Sequence, residues 1–64
     1  MTRFSNKIKY YRERKNMTQQ ELAERLETDV RNIRRWENGE AYPNVYVGIL
    51  ISRILEANLM DIFS

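Results

Sequence analysis

The chain has neither cysteine nor histidine among its 64 residues. Those two absences exclude a disulfide frame, a thiolate or imidazole metal centre and any histidine-activated nucleophile. Its nine acidic residues fall on stretches that read as solvated or structural. No catalytic residue, metal or cofactor is therefore expected. Long apolar runs are missing too, since nothing approaches the roughly 20 residues of a membrane-spanning helix. The start of the chain sets Phe4 and Ile8 at helical spacing among charges, unlike a signal peptide. The expectation is a cytoplasmic protein with no membrane and no small-molecule partner. Repeats, low-complexity tracts and strand-like alternation are likewise lacking. A chain this short is near the lower limit for burying enough apolar surface to fold alone, so one domain over residues 1–64 is expected, helped by tight helix packing or self-association.

What charge there is lies unevenly. The net charge is +2, yet residues 1–15 hold Arg3, Lys7, Lys9, Arg12, Arg14 and Lys15 against Glu13 alone, a local excess of +5. The following segment to Thr28 sets Arg25 against Glu21, Glu24 and Glu27. The basic end suits a phosphate-facing surface, although lysines and arginines that merely solvate a helix face give the same count.

Apolar spacing predicts an all-α chain of five helices. Phe4, Ile8 and Tyr11 recur at four and three residues, and the pattern stops near Asn16. Met17 then enters the core just before a capping box, in which Thr18 caps and Glu21 returns to the cap amide, so helix two starts at Gln19. Leu22, Ala23 and Leu26 form its buried stripe, the alanine allowing a second helix to cross closely. Asp29 caps a third helix with Ile33 and Trp36 inward and Arg31, Arg34 and Arg35 on another side. Gly39 suits the left-handed position past its end. Pro43 and Asn44 open a fourth helix, expected to turn Val45, Ile49, Ser52 and Leu55 inward, and Leu59, Ile62 and Phe63 close the core in a last short helix.

Two short helices joined by a tight turn, the second carrying arginines that neither packing nor catalysis requires, read as a helix-turn-helix. Order and spacing carry a more specific likeness. An arginine in helix one (Arg12), the opening Thr18-Gln19-Gln20-Glu21-Leu22-Ala23, Ile33, the triplet Glu37-Asn38-Gly39, Pro43 and an apolar fourth helix together resemble the Cro and phage-repressor helix-turn-helix family, the xenobiotic-response-element regulators. The likeness runs from Ile8 to Phe63 and implies a five-helix lambda-repressor-like DNA-binding domain.

The resemblance also implies roles. Helix three becomes the recognition helix, with Val30, Arg31 and Arg35 meeting base edges. Arginine offers two donors to the O6 and N7 acceptors of guanine, whereas Val30 suits a thymine methyl or packing under the turn. Thr18, Gln19, Arg34 and Asn38 fall where the family contacts the DNA backbone, where amides and the helix dipole favour an anion. Capping is the plainer role for Thr18 and Asn38, while Gln19 has fewer structural reasons for its place. Arg12 and Glu37 match positions that form an interhelical ion pair, and Trp36 matches a core position. Glu27 departs from the family, which carries glycine there at positive φ; a glutamate either takes that conformation under strain or forces another turn. Asp29 and Glu40 put acid near the recognition surface, so that Asp29 to Glu40 has no net charge and tight monomeric binding is not expected.

Helix four is apolar nearly all round. Val47, Leu50 and Ile54 form a second stripe beyond the inward one, and an exposed stripe of that kind marks an interface. A symmetric homodimer through Val47, Leu50 and Ile54, aided by Met60 and Phe63, would set two recognition helices one turn of DNA apart on a palindrome. The expected function is sequence-specific binding of double-stranded DNA by a small bacterial or phage-encoded, nucleoid-associated transcription regulator. Repression by occlusion is the expected mode, because so short a chain leaves no room for a sensing or activating domain. The alternative is an antitoxin-like protein-interaction module that uses the apolar face of helix four. Arg31, Arg34 and Arg35 have no use in that second reading.

Overall fold

The computed structural model describes residues 5–64, so Phe4, and with it the first step of the helix-one stripe, lies outside the described residues. Five helices follow in order among them: α1 Ile8–Arg14, α2 Gln19–Leu26, α3 Val30–Glu37, α4 Val45–Leu55 and α5 Leu59–Ile62. No strand occurs among the described residues. The described residues are all-α with five helices, as the periodicity predicts.

The starts are set by short polar side chains. Thr18 accepts from the Glu21 amide at 3.0 Å, and Glu21 accepts from the Thr18 amide at 2.8 Å, completing the capping box. Asp29, Asn44 and Asn58 accept from the amides of Arg31, Val47 and Met60, opening α3, α4 and α5. Asn6 accepts from the Ile8 amide at 3.1 Å, so α1 begins at Ile8. Four helix ends share one geometry, in which the second or third residue beyond the helix reaches a carbonyl five residues back. Met17 bonds to Arg12, Thr28 to Ala23, Glu40 to Arg35 and Ala57 to Ser52. Each such closure needs one left-handed residue. Those residues are Asn16, Glu27, Gly39 and Glu56, with φ of 54°, 56°, 75° and 53°. Glu27 thus takes the backbone conformation that the family gives to glycine, and the turn between α2 and α3 is kept.

Ile8, Met17, Leu22, Ala23, Ile33, Trp36, Ile51, Leu55 and Ile62 form one buried cluster. α2 packs on both α3 and α4, while α1 packs on α3 and α5 on α4. Ala23, fully buried, is one of the α2 side chains in that core.

α4 corrects the expected orientation. Its buried residues are Gly48, Ile51 and Leu55. Val45 is 79% exposed and Ile49 38%, whereas Ile51, not in the expected inward set, is fully buried. Of the expected inward set, Leu55 is buried and Ser52 half-buried. In a helix apolar nearly all round, periodicity cannot choose the face. Packing of α4 against α2 and α5 does, with Leu59 and Phe63 beside Gly48, where a side-chain carbon would make ordinary van der Waals contact with Phe63 Cε2 at 3.7 Å. The stripe Val47, Leu50 and Ile54 is half-buried, with Val47 and Ile54 packed against the core. The open apolar surface is instead Tyr42, Val45, Tyr46, Ile49 and Met60. Tyr42, Val45 and Met60 also line a shallow groove of about 260 Å³ that has Gly48 and Phe63 among its walls.

Candidate nucleic-acid interface

α3 is eight residues long, and two sides of it are already decided. Ile33 and Trp36 are buried and Val30 packs partly on the core, so a base contact by Val30 would use only its open edge. Arg31, Arg34 and Arg35 are all exposed. At 100° per residue these three fall within one arc, since Arg31 and Arg35 are four apart and Arg34 three from Arg31. Among the described residues their guanidinium groups make no ion pair. Three cations therefore project from one capped helix with no charge partner among the described residues.

A polar network holds the last turn of α3. Arg12 Nε donates to Glu37 Oε2 at 2.6 Å, and its Nη2 donates to Oε1 at 3.2 Å. Its Nη1 donates to the Met17 carbonyl at 2.7 Å, just ahead of α2. The two charged side chains are 8% and 3% exposed, so the interhelical pair implied by the family likeness is present and buried. Charges taken so far from water need full hydrogen bonding. They have it, for no buried side-chain polar atom among the described residues lacks a partner.

Gln19 joins this network, donating from Nε2 to Glu37 Oε1 at 2.9 Å. It therefore has a structural reason for its place, which the sequence hid because its partner is 18 residues away. Asn6 is a second residue that sequence reasoning passed over. Its Nδ2 donates to the Trp36 carbonyl at 2.7 Å while its Oδ1 caps α1, tying one helix start to another helix end. An asparagine two residues before an apolar stripe is a legible cap signal, obscured here because Phe4 carries the apolar spacing back past it. Asn32, also passed over, donates to the Thr28 hydroxyl at 2.7 Å and braces the turn before α3.

The remaining expected contacts lie along the same helices. Thr18 is exposed at the α2 start, and its neighbour Gln19 is half-buried. Asn38 is exposed immediately after α3. Glu21 has its carboxyl held below its ordinary value by the hydrogen bond from the Thr18 backbone, then by the Thr18 side chain and by Arg25. The basic start is less available than its charge implies. Arg12 is buried, Lys15 pairs with Glu56, and Arg14 lies 5.7 and 5.9 Å from the ring centres of Tyr10 and Tyr11. Lys7 and Lys9 are exposed. Among the described residues no acidic cluster gathers to hold a metal ion, and no helix is long and apolar enough to cross a membrane.

The chain resembles known proteins in sequence. The model of the family described as Helix-turn-helix matches residues 8–62, from the first residue of α1 to the last of α5. The chain is similar to the HTH-type transcriptional activator BcrR of Enterococcus faecalis, with 34% identity over 61 residues, covering 95% of this chain and 30% of that protein. It is similar also to an uncharacterized HTH-type transcriptional regulator of Methanocaldococcus jannaschii, with 34% identity over 58 residues, covering 91% of this chain and 88% of that one. This chain thus spans under a third of the length of the first relative and most of the second.

Proposed function

This chain belongs to the helix-turn-helix family, and we propose that it is a DNA-binding transcription regulator that reads duplex DNA with α3 as a single domain over residues 1–64. The observation that carries this reading is the exposed arc of Arg31, Arg34 and Arg35 on a helix whose opposite side, Ile33 and Trp36, is buried. Arg31 and Arg35 read guanines in the major groove, with Val30 at the edge of the contact, and Arg34 meets a phosphate. Thr18, Gln19 and Asn38 contact the backbone, Thr18 and Gln19 from the positive end of the α2 dipole.

Binding is by a homodimer on a palindromic operator. With Asp29 and Glu40 offsetting two of its three arginines and Glu37 already paired with Arg12, one recognition segment brings little net attraction for phosphate, so a second copy supplies the affinity. The dimer forms through the exposed side of α4, where Val45, Tyr46 and Ile49 share an arc with half-buried Leu50 at its margin and Arg53 toward its end. Val47 and Ile54 face the core and lie at the edge of that contact.

Repression by occlusion of a promoter is the mode proposed first. The relative whose name makes it an activator favours a second reading, in which the same domain places an activating contact beside the promoter. A reporter behind the selected operator separates the two by the sign of its response.

The test is selection of duplexes from a randomised pool at about 150 mM salt, where phosphate attraction alone is weak, with the protein and its Arg31→Ala and Arg35→Ala variants. A guanine-containing palindrome that relaxes at one position per half-site in each variant is the expected result. Salt-sensitive binding without enrichment, indifferent to both substitutions, would overturn the reading and turn attention to a protein partner for α4.

A further inference from the structure

We infer that Gln19 is a positioning residue for base readout, coupling the DNA backbone contact at the start of α2 to the angle of α3 through its hydrogen bond to Glu37; this rests on the DNA-reading role proposed above. The two ends of α3 are held differently. Its first turn is secured by local side chains, Asp29 on the Arg31 amide and Asn32 on Thr28. Its last turn is held from elsewhere. Arg12 of α1 and Gln19 of α2 meet on the Glu37 carboxylate, and Asn6, ahead of α1, takes the Trp36 carbonyl.

Among these anchors Gln19 alone is also the first residue of α2, where a phosphate is favoured. A glutamine amide nitrogen carries two N–H groups. One donates to Glu37 Oε1 at 2.9 Å, and the side chain is half-buried rather than enclosed. The second N–H is the donor offered to a phosphate. Because the amide is planar, a phosphate that engages it fixes the same plane that holds Glu37. Arg35 lies two residues before Glu37, whereas Arg31 lies in the first turn. Loss of the Gln19 bond therefore loosens the Arg35 end of the helix and leaves the Arg31 end to its own caps.

The test compares Gln19→Met, which keeps the length of the side chain and removes both donors, with Asn6→Ala, which removes a different anchor of the same turn. Gln20→Met is the control, since Gln20 is exposed and its side chain bonds, among the described residues, to Glu24 of its own helix. Base preferences by selection and the salt dependence of binding are measured for each. With Gln19→Met the preference for guanine at the Arg35 position falls by about tenfold while that at the Arg31 position stays within about twofold. Asn6→Ala reproduces this pattern, and the control changes neither preference.

A uniform loss of affinity with base preferences intact and a salt slope lower by about one would make Gln19 a phosphate ligand only and overturn the inference. So would unchanged binding. Wild-type protein with no sequence preference would instead overturn the DNA-reading role and this one with it. Thermal melts by circular dichroism check that each variant is folded, and Gln19→Ala, read by the same criteria, replaces the methionine variant if that melts below the assay temperature.

Discussion

Arg12 touches three acceptors on two other segments, both oxygens of Glu37 and the carbonyl of Met17, so its loss strands a buried carboxylate and a buried carbonyl together. Arg12→Met should lower stability by about 3–5 kcal/mol, most of it from the unpaired Glu37, as read by urea titration at neutral pH. Replacing Arg31 with alanine should leave the same titration within about 0.5 kcal/mol, because an exposed residue without internal partners contributes little. That contrast separates two arginines that composition treats alike. The spacing of Ile8 and Arg12 puts them on one face, but only the folded chain sets which cations are structural and which are free. Glu27 is a complementary case, an exposed residue held at φ 56° where no side chain is comfortable. Glu27→Gly should raise stability by about 1 kcal/mol, seen as a higher denaturant midpoint with unchanged slope.

Helix boundaries were the most legible part of the chain, because they are written in single residues. Thr18, Asp29 and Asn44 announce the starts of α2, α3 and α4, and each makes the cap bond its position implies. The capping box also carries a pH dependence. The Glu21 carboxyl is held below its ordinary value of 4.5 by hydrogen bonds from Thr18, and Glu56 is held below the same value by Lys15. A lowered folded value means stability fully present above about 4.5 and lost as pH falls through the folded value, as each carboxylate takes up a proton and releases its partner. Glu21→Gln keeps an acceptor for the cap amide and removes the charge, so its melting temperature should fall less than that of the wild type between pH 5 and roughly pH 3. The orientation of α4 was not legible, since Val45 through Leu55 offers apolar residues in every direction and the choice is made by tertiary packing against α2 and α5. Nor was the clamp on α3, for its bonds join residues 18 to 30 apart and no local pattern encodes them.

For the whole molecule, the open surface of α4 and the arginine arc of α3 have separate consequences. Ile49→Glu places a charge on the proposed dimer contact and outside the buried cluster. It should convert a dimer to a monomer in sedimentation and abolish any dependence of the melting temperature on protein concentration. DNA affinity should fall while base preference within a half-site is kept. The central claim, that α3 reads bases through its arginines, is tested most directly by pairing one side chain with one base atom. The selected operator is synthesised with 7-deazaguanine at the position assigned to Arg35, removing the N7 acceptor, and the affinities of wild type and Arg35→Ala are measured on both duplexes. A coupling energy of about 1–3 kcal/mol, with the modified base harming the wild type and not the variant, is predicted. Additive losses, with no coupling at any guanine of the half-site for either Arg31 or Arg35, would contradict the account.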